Sequence, residues 1–271
     1  MPPKLIGGGS YRRDACLRRK RACEKLVEKY GVFDIKGSTV GLGENICDER
    51  FPCPDLVLLY ARMGLHRYNL LQGTKFQLSR VEKYILSKPP GVVIGSYYIT
   101  LDAMDPANGS SSQIFQTEVS EEACGRLILL CNLARIRGDK SNGRGVTRIN
   151  GSLPEWPAEN PFEKYNLVEE SDDDWIRLYM ELAVATKDRS REAKDYGPST
   201  LEIVKVAMDA NGEGLNALNA TFYVRYKDLY EAQSGKVLDR FAIVRRRLHE
   251  DTGSFSLVGS LVTPNPEDFQ M

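Results

Sequence analysis

Apolar positions recur along the chain with two different periods, and the change of period divides it. From Asp55 to about Leu71, residues Leu56, Leu59, Tyr60, Met63 and Leu70 fall on one helical stripe. Val57, Leu58 and Leu65 add apolar positions around the rest of the cylinder. A helix apolar on most sides belongs inside a protein, so Leu59 is expected in the core. Pro54 suits the first turn and Gly73 the end. Residues 12–30 form a second helical pattern, with Cys16, Cys23, Leu26, Val27 and Tyr30 on one stripe and Gly31 as its stop. The glycine-rich stretch 31–53 between them reads as irregular.

Beyond Gly73 the period becomes two. Phe76 and Leu78 open a strand that runs towards Leu86, and its alternation slips near Arg80–Val81, as at a bulge. Tyr97, Ile99, Leu101 and Ala103 alternate with Tyr98, Thr100 and Asp102. Phe115, Thr117 and Val119 resume the pattern, and a further strand, holding Cys131, covers 126–136; the segment with Cys124 reads as strand too. Ile176, Leu178, Met180, Leu182 and Val184 alternate with Trp175, Arg177, Tyr179 and Glu181, which predicts a strand over 175–184. Strands are also predicted over 201–208, 221–230, 239–248 and 254–262, the last two joined by the turn Glu250-Asp251-Thr252-Gly253.

The connections are too short for parallel crossovers, so neighbouring strands are antiparallel. A buried helix followed by antiparallel strands is an α+β plan, and a cystatin/monellin-like arrangement fits 54–137. The β-rich end is either a second unit of that kind or an extension of the first sheet. Four regions follow: a basic N-terminal helix and irregular segment over 1–53, a helix-plus-sheet unit over 54–137, a linker with an acidic run over 138–174, and a β-rich unit over 175–271. The linker reading rests on four glycines, three prolines and four asparagines between 138 and 166.

Charge sharpens this outline. Lys plus Arg and Asp plus Glu are both 37, so the formal net charge is zero, which argues against nucleic-acid or membrane-surface binding over the whole length. Locally the balance is broken. Met1 to Lys25 carries eight basic residues against Asp14 and Glu24, and Glu155 to Asp174 carries eight acids against Lys164. The basic run Arg12, Arg13, Arg18, Arg19, Lys20 and Arg21 is either the wet face of a helix or a nuclear-import and phosphate-contacting patch. Glu169, Glu170, Asp172, Asp173 and Asp174 are a solvated run or a docking surface for a basic partner. Arg245-Arg246-Arg247 is expected at a sheet edge or an exposed strand end, where charge blocks pairing. The longest uncharged stretch, Thr252 to Pro266, has 15 residues, shorter than the roughly 20 a spanning helix needs. Met1 to Lys20 contains no apolar segment of the secretory kind, so the six cysteines are expected as reduced thiols.

Little of the chain points to a reaction. The two histidines, His66 and His249, read as core or surface residues. Cys47, Cys53 and His66 lack an obvious fourth ligand for a metal. Gly41-Leu-Gly-Glu-Asn-Ile lacks the lysine of a phosphate loop, and Gln116-Thr-Glu-Val-Ser lacks the closing glycine of a cystatin inhibitory loop. No catalytic, cofactor-binding or metal-ligating residue is assigned.

The blocks Ser96-Tyr-Tyr-Ile-Thr-Leu, Phe115-Gln-Thr, Leu178-Tyr-Met-Glu-Leu-Ala, Leu201-Glu-Ile-Val-Lys-Val-Ala, Phe222-Tyr-Val-Arg-Tyr-Lys-Asp-Leu and Asp239-Arg-Phe-Ala-Ile-Val-Arg-Arg resemble a plant-specific family of crucifer proteins named after the male-sterility-five locus. Thr252-Gly-Ser-Phe-Ser-Leu-Val-Gly belongs to the same pattern, and the similarity spans roughly 55–265. The resemblance implies a role in plant reproductive development, in the nucleus, and implies no reaction or cofactor. The expectation is a non-enzymatic nuclear interaction protein with protein partners, nucleic acid contacted only through the basic N-terminus, and no membrane. The alternatives are a cytoplasmic location, and a small-molecule-binding or enzymatic domain with a pocket between helix and sheet.

Overall fold

The computed structural model describes residues 27–28, 31–39, 41–88, 91–106, 112–139, 152–168, 174–197, 199–236 and 238–262. A 3-10 turn, Val32–Asp34, leads into a hairpin of β1 (Ser38–Thr39) and β2 (Leu42–Ile46). Helix α1 (Asp55–Gln72) follows, then β3 (Gln77–Ser87), β4 (Ser96–Met104), β5 (Ser112–Glu121) and β6 (Leu127–Ile136). A short helix α2 (Pro161–Lys164) and β7 (Asn166–Val168) precede α3 (Asp174–Lys187) and α4 (Ala193–Tyr196). The chain continues through β8 (Leu201–Asp209), β9 (Ala220–Asp228), α5 (Leu229–Gln233), β10 (Asp239–His249) and β11 (Ser254–Val262).

The described strands join in one eleven-stranded sheet of order β1-β2-β3-β4-β5-β6-β11-β10-β9-β8-β7, antiparallel at every pairing. The fold is α+β. The two halves meet where β6 pairs with β11, Cys131 opposite Phe255 and Leu129 opposite Leu257. Register shifts in β3 fall between Leu78 and Arg80 and between Val81 and Lys83, where the alternation slips in the sequence.

Helix α1 lies across β3–β6 on one face of the sheet. It buries Val57, Leu59, Tyr60, Ala61, Met63, Gly64 and Leu65, with Leu59 only 4% exposed. Gly73 ends it in the left-handed region (φ 66°), its N–H donating to the Asn69 carbonyl.

Residues 175–184 are not a strand. They form α3, which packs beside α1 and against β6, β10 and β11. Trp175, Ile176, Leu178, Tyr179, Met180, Leu182, Ala183, Val184 and Ala185 are all buried. Where nearly every position is apolar, a period of two and a period of 3.6 fit equally well. Leu, Met, Glu and Ala in the segment favour helix, and the groove between α1 and the sheet takes it.

Three other expectations change. Residues 31–53 are not wholly irregular, since they contain the β1–β2 hairpin. Residues 152–168 are not an open linker. Trp156, Phe162 and Tyr165 pack there against Tyr223 and Phe241 on the opposite face of the sheet, and residues 140–151 lie outside the described residues. Cys124 sits exposed in the turn between β5 and β6 rather than in a strand. Of the helix expected over 12–30, Val27 and Glu28 are helical and the rest, with Cys16, Cys23, Leu26 and Tyr30, lies outside the described residues. Gly31 has φ 75°, and its N–H donates to the Val27 carbonyl at 2.9 Å. No helix among the described residues is long and apolar enough to cross a membrane.

Candidate functional site

An open cleft of about 850 Å³ lies where the C-terminal half of α1, the first residues of β3 and the start of α3 converge. Its floor carries His66 of α1 and Trp175 of α3, with Leu178 beside them; Phe76 and Leu78 form the β3 wall. The rim loop is fixed by one side chain. Asn69 donates from Nδ2 to the Phe76 carbonyl at 2.8 Å and accepts at Oδ1 from the Thr74 hydroxyl (2.9 Å) and the Phe76 N–H (3.0 Å). Arg62, also lining the cleft, pairs with Glu181 of α3 at 2.6 Å and ties the two helices together.

Beneath the cleft lies a chain of polar contacts in an aromatic shell. His66 Nε2 is 2.8 Å from the Tyr179 hydroxyl, and Arg246 Nη1 donates to the same hydroxyl at 3.3 Å. A guanidinium has only donors, so the Tyr179 oxygen accepts from it and its own proton is left for His66 Nε2. That assignment puts the ring proton of His66 on Nδ1. The His66 ring stacks on Trp175 with centroids 5.7 Å apart and meets Tyr179 and Phe255 edge-on. Burial, aided by the Arg246 charge, pushes the His66 pKa down to about 3, and burial pushes Tyr179 up to about 12. Both groups are therefore neutral near pH 7.

Arg246 departs from the expectation for Arg245-Arg246-Arg247, of which Arg247 alone is exposed, near the end of β10. β10 lies between β9 and β11, so the triplet is on an interior strand and not at an edge. Alternation turns Arg246 to the same face as Ala242 and Val244, and it is 1% exposed. Its guanidinium carbon lies 4.8 Å from the Trp175 ring centroid and 5.1 Å from that of Phe222. Nη2 donates to the Leu215 carbonyl at 2.8 Å, whereas Nε has no partner among the described residues.

Two other buried charges are fully partnered. Glu121 accepts from the Tyr60 hydroxyl (2.7 Å) and the Gly95 N–H (3.1 Å) and pairs with Arg189 (2.8 Å). Asp228 pairs with Arg191 at 2.9 Å and caps α5 by accepting from the Glu231 N–H at 3.1 Å. Among the described residues no group of three or more His, Cys, Asp or Glu is placed to hold a metal ion.

A family model for protein MS5 matches residues 153–257, from the aromatic layer on the outer face through α3 to β11. UPF0725 protein EMB2204 of Arabidopsis thaliana is 39% identical over 242 residues, covering 80% of this chain and 72% of that protein. The chain belongs to the MS5 family. A second Arabidopsis thaliana relative, UPF0725 protein At3g25080, is 61% identical over 163 residues, 58% of this chain and 95% of its own. The crystal structure of MS5 from Brassica napus superposes with a TM-score of 0.65 at 33% identity, covering 78% of this chain and all of that one. Within this MS5-family chain, the family match takes in Trp175, Tyr179 and Arg246 but stops short of α1 and His66.

The residues singled out by charge in this family member are not brought to the cleft. Arg12, Arg13, Arg18, Arg19, Lys20 and Arg21 lie outside the described residues, as do Glu169, Glu170, Asp172 and Asp173. Asp174 is the first residue of α3. Sequence reasoning missed the His66–Tyr179–Arg246 array. Its signal was present: two polar residues stand at positions where helix and strand periodicity call for apolar ones.

Proposed function

We propose that this protein works without catalysis, as a nuclear interaction protein in male fertility, meiosis and reproductive development, and that it acts by holding protein partners. What supports the non-catalytic reading is the setting of His66: its Nε2 is engaged by the Tyr179 hydroxyl, its ring is held among Trp175, Tyr179 and Phe255, and burial pushes its pKa down, away from the working range of a general base. The Thr74 hydroxyl at the rim is committed to Asn69. The reproductive role rests on the family resemblance, and the nuclear location on six basic residues between Arg12 and Arg21. We read α1 with β3–β6, and α3 with β8–β11, as two cystatin/monellin-like units fused edge to edge. The acidic run from Glu169 to Asp174 is the docking surface for a basic partner, and the basic N-terminus is the one segment suited to nucleic acid.

The test is import of the full chain fused to a large fluorescent carrier. Wild type is compared with a variant in which Arg18, Arg19, Lys20 and Arg21 are all alanine. Nuclear accumulation lost in the variant, with the melting curve unchanged, supports the reading. Equal nuclear signal from both fusions contradicts it.

A further inference from the structure

We propose that the cleft between α1, α3 and the start of β3 binds a small amphiphilic anion: a flat apolar body bearing one carboxylate, sulfonate or phosphate. This goes beyond the protein-partner reading, since it assigns a small-molecule site. The size is right, as about 850 Å³ lies within the range of roughly 300–1,000 Å³ typical of ligand pockets. The apolar body has partly exposed surfaces to meet in Leu70, Phe76 and Leu78, with the edge of the largely buried Trp175 at the floor.

The charge of the site points one way. The lining includes Arg62 and Lys75 and no aspartate or glutamate. Arg62 is already neutralised by Glu181. Lys75 is exposed, and among the described residues it has no ion-pair partner. Behind the floor, Arg246 is a buried cation with, among the described residues, no carboxylate at ion-pair distance and no partner for Nε. A buried charge without a counter-ion is costly, and its field is weakly screened in a low-dielectric interior. An anion held in the cleft would offset part of that cost. His66 also lines the cleft; with its proton on Nδ1, the tautomer inferred from the Tyr179 contact, that nitrogen is a donor with no hydrogen-bond partner among the described residues.

The probe is anilinonaphthalene sulfonate, an anionic flat aromatic, titrated into the folded full chain. Its uncharged counterpart, phenylnaphthylamine, is the control for the charge. Proton–nitrogen spectra locate the site, because the chain has two tryptophans. Trp175 lies at the cleft and Trp156 on the other face of the sheet. The proposal expects saturable one-to-one binding, a shift of the Trp175 indole signal alone, and weaker binding of phenylnaphthylamine. Lys75→Glu reverses the exposed charge, and its affinity should fall about tenfold, the equivalent of about 1.4 kcal/mol. Asn216→Trp fills the rim from an exposed position and should also block the site. Thermal melts identify any variant that fails to fold, and the other then decides. Binding that does not saturate, that shifts Trp156 equally, or that survives both folded variants unchanged overturns the proposal.

Discussion

Gly64 of α1 lies directly on Thr117 of β5, so close that a methyl group at Gly64 would stand 2.5 Å from Thr117 Cγ2. The helix reaches the sheet at this point because Gly64 has no side chain. Gly64→Ala should therefore destabilise the protein, although alanine is the better helix former by about 1 kcal/mol. Overpacking of a closed core typically costs about 1–3 kcal/mol before that gain is counted. The Thr117 β-carbon is itself within 2.6 Å of the added methyl, so a rotamer change does not relieve the contact. A thermal melt should show a lowered midpoint; a rise would mean that α1 stands further off the sheet.

His66 makes stability depend on pH in a defined window. Its folded pKa, about 3, lies below the ordinary value of 6.5, so the unfolded chain binds a proton that the folded chain does not. Stability is full above about pH 6.5 and falls as the pH drops towards 3, by about 1.4 kcal/mol per pH unit at most. His66→Gln, which retains an acceptor for Tyr179, should flatten that slope. Arg246→Met should raise the His66 pKa, because the Arg246 charge helps to hold it down. Denaturant melts across this range, with ring NMR of the two histidines, measure both effects. A His66 that titrates near 6.5 in wild type would contradict the buried array.

The Arg191–Asp228 pair separates buried from exposed electrostatics. Both side chains are at most 3% exposed, and breaking such a pair by removing one partner costs about 3–5 kcal/mol. Asp228→Ala also removes the α5 cap. The Arg80–Asp102 pair has a comparably short contact, 2.6 Å, but Arg80 is 67% exposed. Asp102→Ala should therefore cost less than about 1 kcal/mol. Urea melts of the two variants should differ by several-fold in lost stability; similar losses would contradict the burial assigned to Asp228.

The thiols should differ in reactivity. Cys124 is exposed, whereas Cys131 is fully buried in β6 and its pKa is pushed up to about 11, chiefly by burial. A thiolate-specific reagent should label Cys124 in the folded chain and Cys131 only after denaturation, when all six cysteines should titrate. Rapid native labelling of Cys131 would show that β6 and β11 open readily.

What the sequence made legible follows from physical contrast. Helix α1 stood out because Pro54 and Gly73 frame it, and β11 because a turn and clean alternation define Ser254–Val262. Helix α3 was misread because burial on nearly all sides erased the polar face that sets a helical period. Arg246 was misread because a run of three arginines looks solvated, while strand alternation sends the middle one inward. The cleft was hidden because its walls come from residues far apart in sequence: His66, Trp175 and Asn216 meet only once the sheet is assembled.

The central claim is that this protein acts in the nucleus by holding another protein. The most direct measurement is the native size of the endogenous chain in cross-linked nuclear extract from developing anthers. The account predicts that the 30.5 kDa chain runs in a heavier species containing a second, different polypeptide, and that most of it is nuclear. A chain that runs alone at 30.5 kDa, or that resides in the cytosolic fraction, would contradict it.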